Sequence, residues 1–228
     1  RSFDPTFSVA SRGNAQSASS TPFNIYNRRL NYARSDFDRR HSFTGTFVLE
    51  LPFGSGRRFA GDVGRGLDLL IGGWELAGLV RWQSGRPFTV YSGSNTVSNV
   101  VQSPANCQGC SPDMGRLHDE QGPTETTLYF FDPSQRALFS TPAPGQIGNT
   151  GRNFFTGPSF FDLSMMLGKR FRFTENQNLE LRVEATNVTN TPSFGIPTAT
   201  ITSSVFGRIR DGVVSSSRKV QFSIKYNF

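Results

Sequence analysis

The sequence has few charged residues and only two cysteines, and it contains no long uninterrupted run of apolar residues. Charged residues make up 18% of the 228 positions, whereas about a quarter is usual in soluble domains. A membrane-spanning helix needs roughly 18 or more consecutive apolar residues, so the sequence excludes such a helix. A membrane-spanning β-barrel is still allowed, because its strands alternate apolar with polar residues and keep the mean hydropathy low. The mean hydropathy here is −0.38.

What the chain has in quantity is glycine, phenylalanine and proline, at 23, 22 and 13 positions. Glycine and proline are spread along the chain, as a β protein with many turns requires. The formal net charge of +7 arises from 24 basic and 17 acidic residues, but the basic residues are scattered along the sequence. Because no dense run of Lys and Arg with interleaved aromatic residues occurs, the sequence does not indicate a nucleic-acid interface.

The clearest local pattern is the unbroken alternation of apolar and polar residues from position 220 to the last position, 228. Successive side chains of a strand point to opposite faces, so this segment predicts a strand with one apolar and one polar face. The apolar face consists of Val220, Phe222, Ile224, Tyr226 and Phe228. We expect this face to contact membrane lipid.

The same alternation predicts strands over residues 161–173, 179–186, 41–51 and 73–83, with a sixth, partial strand around residues 3–10. The side chains predicted to face lipid from these strands are Trp74, Trp82, Leu163, Leu181 and Val183. The two tryptophans would lie about 26 Å apart along one strand, close to the height of a barrel's apolar band, whose rims favour aromatic residues. Alternatively, both tryptophans fill the core of a soluble β-sandwich.

The connections between these strands alternate in length. Long polar segments cover residues 11–38, 92–158 and 190–217, and shorter ones cover residues 52–72 and 174–177, with a short helical turn expected at 64–71. Outer-membrane barrels have long extracellular loops and short periplasmic turns. The sequence therefore predicts an all-β fold, an antiparallel meander of about six strands that forms the C-terminal part of a transmembrane β-barrel with long extracellular loops.

Several motifs are distributed over nearly the whole chain. They are DFDRRH at 36–41, LPFG at 51–54, GGW at 72–74, SGRPF at 84–88, GNTGR at 148–152, EATNVTN at 184–190 and FGR at 206–208. In this order, and followed by the alternating terminal strand, they resemble the C-terminal end of TonB-dependent outer-membrane receptors. The resemblance is greatest to the Oar-like type, which carries an N-terminal carboxypeptidase-regulatory-like domain.

This resemblance implies a barrel of about 22 strands with a plugged lumen. Residues 1–228 would be the C-terminal portion of that barrel, without the plug and N-terminal domains, and would not be active alone. The implied function is energised uptake of a bulky ligand across the outer membrane of a Gram-negative-type bacterium. The implied partners are outer-membrane lipid, the barrel-assembly machinery, the TonB complex and an unknown extracellular ligand. The assembly machinery would read the terminal strand, and the TonB complex would be reached through the missing N-terminal parts.

Two other classes stay open at this point. One is a passive outer-membrane channel or an adhesin barrel. The other is a soluble secreted β-sandwich, such as a carbohydrate-binding module. An enzyme is not expected, because no group of residues supplies a nucleophile, a base and a stabilising donor together. We accordingly expect no catalytic residues, no cofactor and no metal site.

Cys107 and Cys110 form a lone CxxC motif in a long loop. The motif is compatible with a small disulfide, with half of a zinc site or with two free thiols, and an oxidising location favours the disulfide. His118 lies among acidic residues that could bind a hard cation, but a solvated loop is the simpler interpretation. The charged residues on the predicted polar faces would line a lumen and pair across strands or contact a plug or substrate. They are Glu75, Arg81, Asp162, Arg170, Arg172, Glu180, Arg182 and Glu184.

Overall fold

The computed structural model of the chain describes residues 23–24, 26–97, 102–121, 126–174, 177–209, 214–215 and 217–228. These residues belong to two compact units. The sheet unit comprises Ser42–Trp82, Phe161–Pro192 and Ser215–Phe228. The loop unit comprises the described parts of Arg1–His41, Gln83–Phe160 and Ser193–Val214.

The elements follow one another in a β-rich order. The strands are β1 (Ser42–Glu50), β2 (Trp74–Gln83), β3 (Pro87–Phe88), β4 (Asn106–Cys107), β5 (His118–Gln121), β6 (Thr126–Tyr129), β7 (Phe139–Ser140), β8 (Phe155–Thr156), β9 (Phe160–Arg172), β10 (Asn178–Thr186) and β11 (Lys219–Asn227). The helices are a 3-10 turn (Arg28–Asn31), α1 (Arg65–Ile71) and α2 (Pro133–Arg136). None of the helices within the described ranges is long and apolar enough to cross a membrane.

The sheet unit is built on one five-stranded sheet with the order β1-β2-β9-β10-β11. Strands β9, β10 and β11 are antiparallel, and Leu181 of β10 lies opposite Lys169 of β9 and Ile224 of β11. Hydrogen bonds at both ends of β1 show that it also runs antiparallel to β2. The amide of Leu51 donates to the carbonyl of Trp74 at 2.9 Å, and the amide of Ser84 donates to the carbonyl of His41 at 2.9 Å.

The connections of this sheet fall into two groups. Short connections join β1 to β2 and β9 to β10, and the latter turn is closed by the amide of Phe173 donating to the carbonyl of Gln177 at 3.0 Å. The chain enters β1, passes from β2 to β9, and passes from β10 to β11 at the opposite end of the strands. The predicted alternation of long and short connections is therefore present in the sheet.

The loop unit is organised around phenylalanine side chains. Phe131 and Phe155 are fully buried, and Phe88 and Phe130 are nearly so. Three two-stranded sheets, β3-β8, β4-β7 and β5-β6, surround this core. The sequence pattern described these connections only as long and polar, whereas they enclose an apolar core of their own.

The predicted fold class is confirmed, and the five clear strands lie within one residue of their predicted positions at most of their ends. Helix α1 lies where the helical turn was expected. The sixth strand predicted around residues 3–10 lies outside the described residues. Within the described residues, β1 and β11 are the two edges of the sheet and do not pair with each other, so the barrel is not closed.

Candidate functional site

The apolar face of the five-stranded sheet is its first candidate surface. On β11 this face is open: Phe222 is 75% exposed and Ile224 74%, and Phe228, the residue after β11, is 94% exposed. Trp82 and Val183 are also exposed, while Trp74, Leu163 and Leu181 are half-buried among their neighbours. The cross-strand register places the apolar residues of β10 opposite those of β11, as in Val183 opposite Phe222. The residues predicted to face lipid therefore share one continuous face.

Within the described residues of the sheet unit, no second sheet covers this face. Phe43, Phe47 and Leu49 of β1 extend it to the other edge of the sheet, and each is at least 41% exposed. In a soluble β-sandwich the inner faces of two sheets interdigitate and the apolar side chains are buried. An apolar face that extends over five strands and stays exposed is expected of a sheet that contacts hydrocarbon.

The opposite face carries charged residues that pair with one another. Arg81 of β2 and Asp162 of β9 form an ion pair of 3.2 Å. Glu180 of β10 accepts a hydrogen bond of 2.7 Å from Arg182 and lies 3.9 Å from a guanidinium nitrogen of Arg170. The Arg81–Asp162 and Arg170–Glu180 contacts join neighbouring strands, and they show that the predicted polar faces belong to one surface, as a barrel lumen requires.

One cation lies on the apolar face instead. Lys169 of β9 points to the same side as Leu181, and only 5% of the residue is exposed. Its ammonium group lies 5.0 Å from the ring centre of Trp74 and 5.2 Å from that of Phe171. The alternation of β9 places Lys169 on this face, but the sequence gives no indication of the groups that surround it.

A buried polar cluster joins distant segments of the loop unit. The carboxylate of Asp36 accepts hydrogen bonds from Arg152 at 3.3 Å and from the side-chain amide of Asn153 at 2.5 Å. Burial, together with the nearby charge of Asp36, raises the pKa of Tyr91 to about 12. The motifs DFDRRH and GNTGR, which are separated by more than a hundred residues, therefore meet at this cluster. These contacts link the two segments within the loop unit.

The CxxC segment is also fixed within the loop unit. Cys107 and Cys110 are joined by a disulfide, and their Cα atoms are 5.8 Å apart. The side chain of Asn149 accepts from the amide of Cys107 at 2.8 Å and donates to its carbonyl at 3.0 Å. Both cysteine sulfurs are therefore occupied, and the segment is held by two independent links.

Glu120, an acidic residue near His118, is used in ion pairs. Glu120 accepts from Arg136 at 2.7 and 2.9 Å and contacts the imidazole of His118 at 2.9 Å. The hydrogen bond from Arg136 lowers the pKa of Glu120, and the hydrogen bond between the imidazole and the carbonyl of Arg116 raises the pKa of His118. In the described part of the chain, no group of three or more His, Cys, Asp or Glu side chains is arranged to hold a metal ion.

A five-stranded antiparallel meander with one exposed apolar face and one charged face defines the wall of a transmembrane β-barrel. Residues 1–221 match the family model described as "Outer membrane beta barrel domain". The chain therefore belongs to this family, and it is a protein of the bacterial outer membrane. It matches no curated protein and no solved structure.

Proposed function

We propose that the protein is a TonB-dependent receptor that takes up a bulky ligand across the outer membrane. In this proposal the chain supplies part of the barrel wall and the loops that meet the ligand. The plug and the segment that contacts TonB would belong to other parts of the receptor. The ordered set of motifs from residue 36 to residue 208 supports this assignment by resemblance.

The observation that carries the proposal is the folded loop unit. Its phenylalanine core, its buried Asp36–Arg152 ion pair and its disulfide hold the long connections in one arrangement. A receptor for a specific ligand benefits from such a surface, because a preformed site avoids the entropy cost of ordering loops on binding. No catalytic role is proposed for any residue, and TonB, the assembly machinery and the extracellular ligand are the proposed partners.

A passive channel or an adhesin barrel is the second candidate. The charged face with Glu180 and Arg182 would also suit a water-filled channel, because porin interiors are polar. The third class, a soluble secreted β-sandwich, has no support, since the apolar face is exposed and the family is one of outer-membrane barrels.

Electrical recording on the product of the complete gene separates the two candidates. The protein is extracted with detergent, reconstituted into planar bilayers and tested in parallel for binding to the purified periplasmic domain of TonB. A plugged receptor is expected to give no steady ion conductance and to bind the TonB domain. A stable open conductance in the absence of TonB binding would overturn the proposed receptor function and favour the passive channel.

A further inference from the structure

The connection between β1 and β2 contains a helix whose position is fixed by Lys169. The ammonium group of Lys169 donates to the carbonyl of Leu70 at 3.2 Å and also to the carbonyl of Gly72. The indole nitrogen of Trp74 donates to the same Leu70 carbonyl at 3.0 Å. Leu70 lies in the last turn of α1 and Gly72 is its C-cap. These are carbonyls that a helix leaves without an internal partner, and they carry the negative end of its dipole.

These contacts place the C-terminal end of α1 on the apolar side of the sheet. Lys169, Trp74 and Phe171 all point to that side, and none of the charged residues of the opposite face takes part. The ammonium group of Lys169 is therefore satisfied by backbone carbonyls and aromatic rings on a face that otherwise contacts lipid. Without α1 the same cation would meet hydrocarbon or headgroups alone, at a considerable cost in free energy.

Helix α1 carries exposed apolar side chains. Leu67 is 50% exposed and Leu70 69% exposed, and residues three apart on a helix share one face. Phe53 and Phe59, which pack against each other with ring centres 5.6 Å apart, are also exposed in the same connection. The connection between β1 and β2 therefore carries four large exposed apolar side chains.

Basic side chains accompany this apolar set. The guanidinium of Arg58 lies 5.6 Å from the ring centre of Phe59. Arg65, the first residue of α1, donates to the carbonyl of Phe173 at 2.8 Å. The acidic Asp68 of α1 accepts a hydrogen bond from the amide of Ser55 at 2.5 Å and also interacts electrostatically with Lys169. Segments that lie in the headgroup region of a bilayer typically combine apolar residues with exposed arginines.

We propose that α1 and the Phe53–Phe59 pair form an interfacial anchor that binds phospholipid headgroups of the periplasmic leaflet. The short connections of outer-membrane barrels lie on the periplasmic side, and the contacts of Lys169 hold the C-terminal end of α1 against the apolar side of the sheet. Leu67 and Leu70 enter the boundary between headgroups and acyl chains, and Arg58 binds a lipid phosphate. This anchor does not depend on whether the barrel is a receptor or a channel.

A fluorophore attached to single cysteine substitutions tests where α1 lies. The variants Leu70→Cys, Val183→Cys and Glu184→Cys are made in the complete protein, which is reconstituted into liposomes containing lipids brominated on their acyl chains. Val183 marks the lipid-facing side of β10 and Glu184 marks the opposite side. Bromine is expected to quench the probes at 70 and 183 but not at 184. A probe at 70 that behaves like the probe at 184 would overturn the anchor.

Two adjacent arginines provide a matched test of the headgroup contact. Arg57 is paired with Glu50 at 2.8 Å, whereas Arg58 lies over Phe59. Quenching of the probe at position 70 is measured once with brominated phosphatidylglycerol and once with brominated phosphatidylcholine. The ratio of the first quenching to the second measures the preference for anionic lipid. Arg58→Gln is expected to lower this preference by up to about fivefold, the effect of one basic residue near an anionic surface. Arg57→Gln is expected to change it less, and equal effects or no effect of Arg58→Gln would contradict the proposal.

Discussion

The guanidinium of Arg182 donates a hydrogen bond of 2.7 Å to the carboxylate of Glu180, two residues earlier on the same face of β10. Glu180 also lies opposite Arg170 of β9 and Lys225 of β11 in the sheet register. One acidic residue is therefore surrounded by three basic residues from three adjacent strands. The geometry shows how the charged face avoids repulsion among its cations.

Replacing Glu180 by Gln should destabilise the sheet because it leaves three cations without their shared carboxylate. We expect the free energy of unfolding to fall by about 1–3 kcal/mol, the range for hydrogen bonds to charged groups. The measurement is urea unfolding of the protein in lipid vesicles. Glu184→Gln is the control, since Glu184 is an exposed residue on the same face of the same strand, and its effect should stay within about 0.5 kcal/mol. Equal losses of unfolding free energy in both variants would show that the contacts of Glu180 stabilise the sheet no more than those of Glu184.

Gly73, immediately before β2, should not tolerate a side chain. Its φ is +69°, and a Cβ atom at this position would collide with the backbone carbonyl oxygen of Arg170. Gly73→Ala should therefore lower the free energy of unfolding by about 1–3 kcal/mol through backbone strain and the loss of close strand packing. The temperature at which the folded form disappears on a gel would measure this loss.

The matched control is Gly66→Ala in α1, where a Cβ atom would meet open space. Alanine is favoured over glycine in helices by up to about 1 kcal/mol. This variant should be as stable as the original protein or slightly more stable. A stable Gly73→Ala variant would mean that the connection between β1 and β2 can shift at little cost.

The core of the loop unit should depend on Phe131. This side chain is fully buried, and its ring lies between 5.3 and 6.1 Å from the rings of five neighbours. Phe131→Ala should cost about 3–5 kcal/mol within the loop unit, because it removes a large buried ring and leaves a cavity. We expect the variant to be cut by protease added to intact cells while its sheet unit remains folded. Tyr32→Ala, at a residue 53% exposed in the same unit, should leave the protease resistance unchanged.

The sequence predicted the sheet unit well and the loop unit poorly, for a physical reason. Long strands such as β9 and β11 bury or expose whole faces, so their two-residue period is visible in the sequence. The loop unit instead pairs two-residue strands from distant segments, as in Phe88 opposite Phe155, and so short a strand has no period to detect. The number of phenylalanines was the one available signal of its core, but it did not show which of them would meet.

For the charged and polar residues, the sequence predicted the face of the sheet but not the contacts. Alternation placed Glu180 and Arg182 on one face, but it could not show that they would share a hydrogen bond. For Lys169, the alternation indicated the apolar face of the sheet but not the hydrogen-bond acceptors of the ammonium group. Those acceptors, the carbonyls of Leu70 and Gly72, lie almost a hundred residues away in the sequence. The cluster of Asp36 and Arg152 was likewise hidden, since only the folded chain brings the two motifs together.

The stability of the loop unit should fall as the pH rises through the neutral range, because of His118. Its contacts with the carbonyl of Arg116 and with Glu120 raise the pKa of His118 above the ordinary value of 6.5. The folded state then holds the proton more tightly than the unfolded state. The resulting stabilisation is complete below the unfolded pKa and is lost as the pH rises through the folded pKa.

Protease resistance of the loop unit, measured from about pH 6 to about pH 8, spans the ordinary pKa of histidine and tests this expectation. The original protein should become easier to cut toward the higher pH, and His118→Gln should show a flatter profile. Glu120 does not contribute in this range, because its pKa is lowered and its stabilisation is lost only in acid. Identical profiles for the two proteins would show that the charge on His118 does not stabilise the loop unit.

Phe228 should matter for assembly more than for stability. Phe228 follows β11, is 94% exposed, and stacks on Tyr226 with ring centres 6.2 Å apart. Its removal leaves the pairing of β10 with β11 intact, so the folded protein should lose little free energy of unfolding. If the terminal strand is read by the barrel-assembly machinery, however, deletion of Phe228 should lower the amount of heat-modifiable protein in the outer membrane while synthesis is unchanged. Phe228→Tyr keeps an aromatic ring at this position and should assemble nearly normally, whereas normal levels in the deletion would show that Phe228 is not part of the signal.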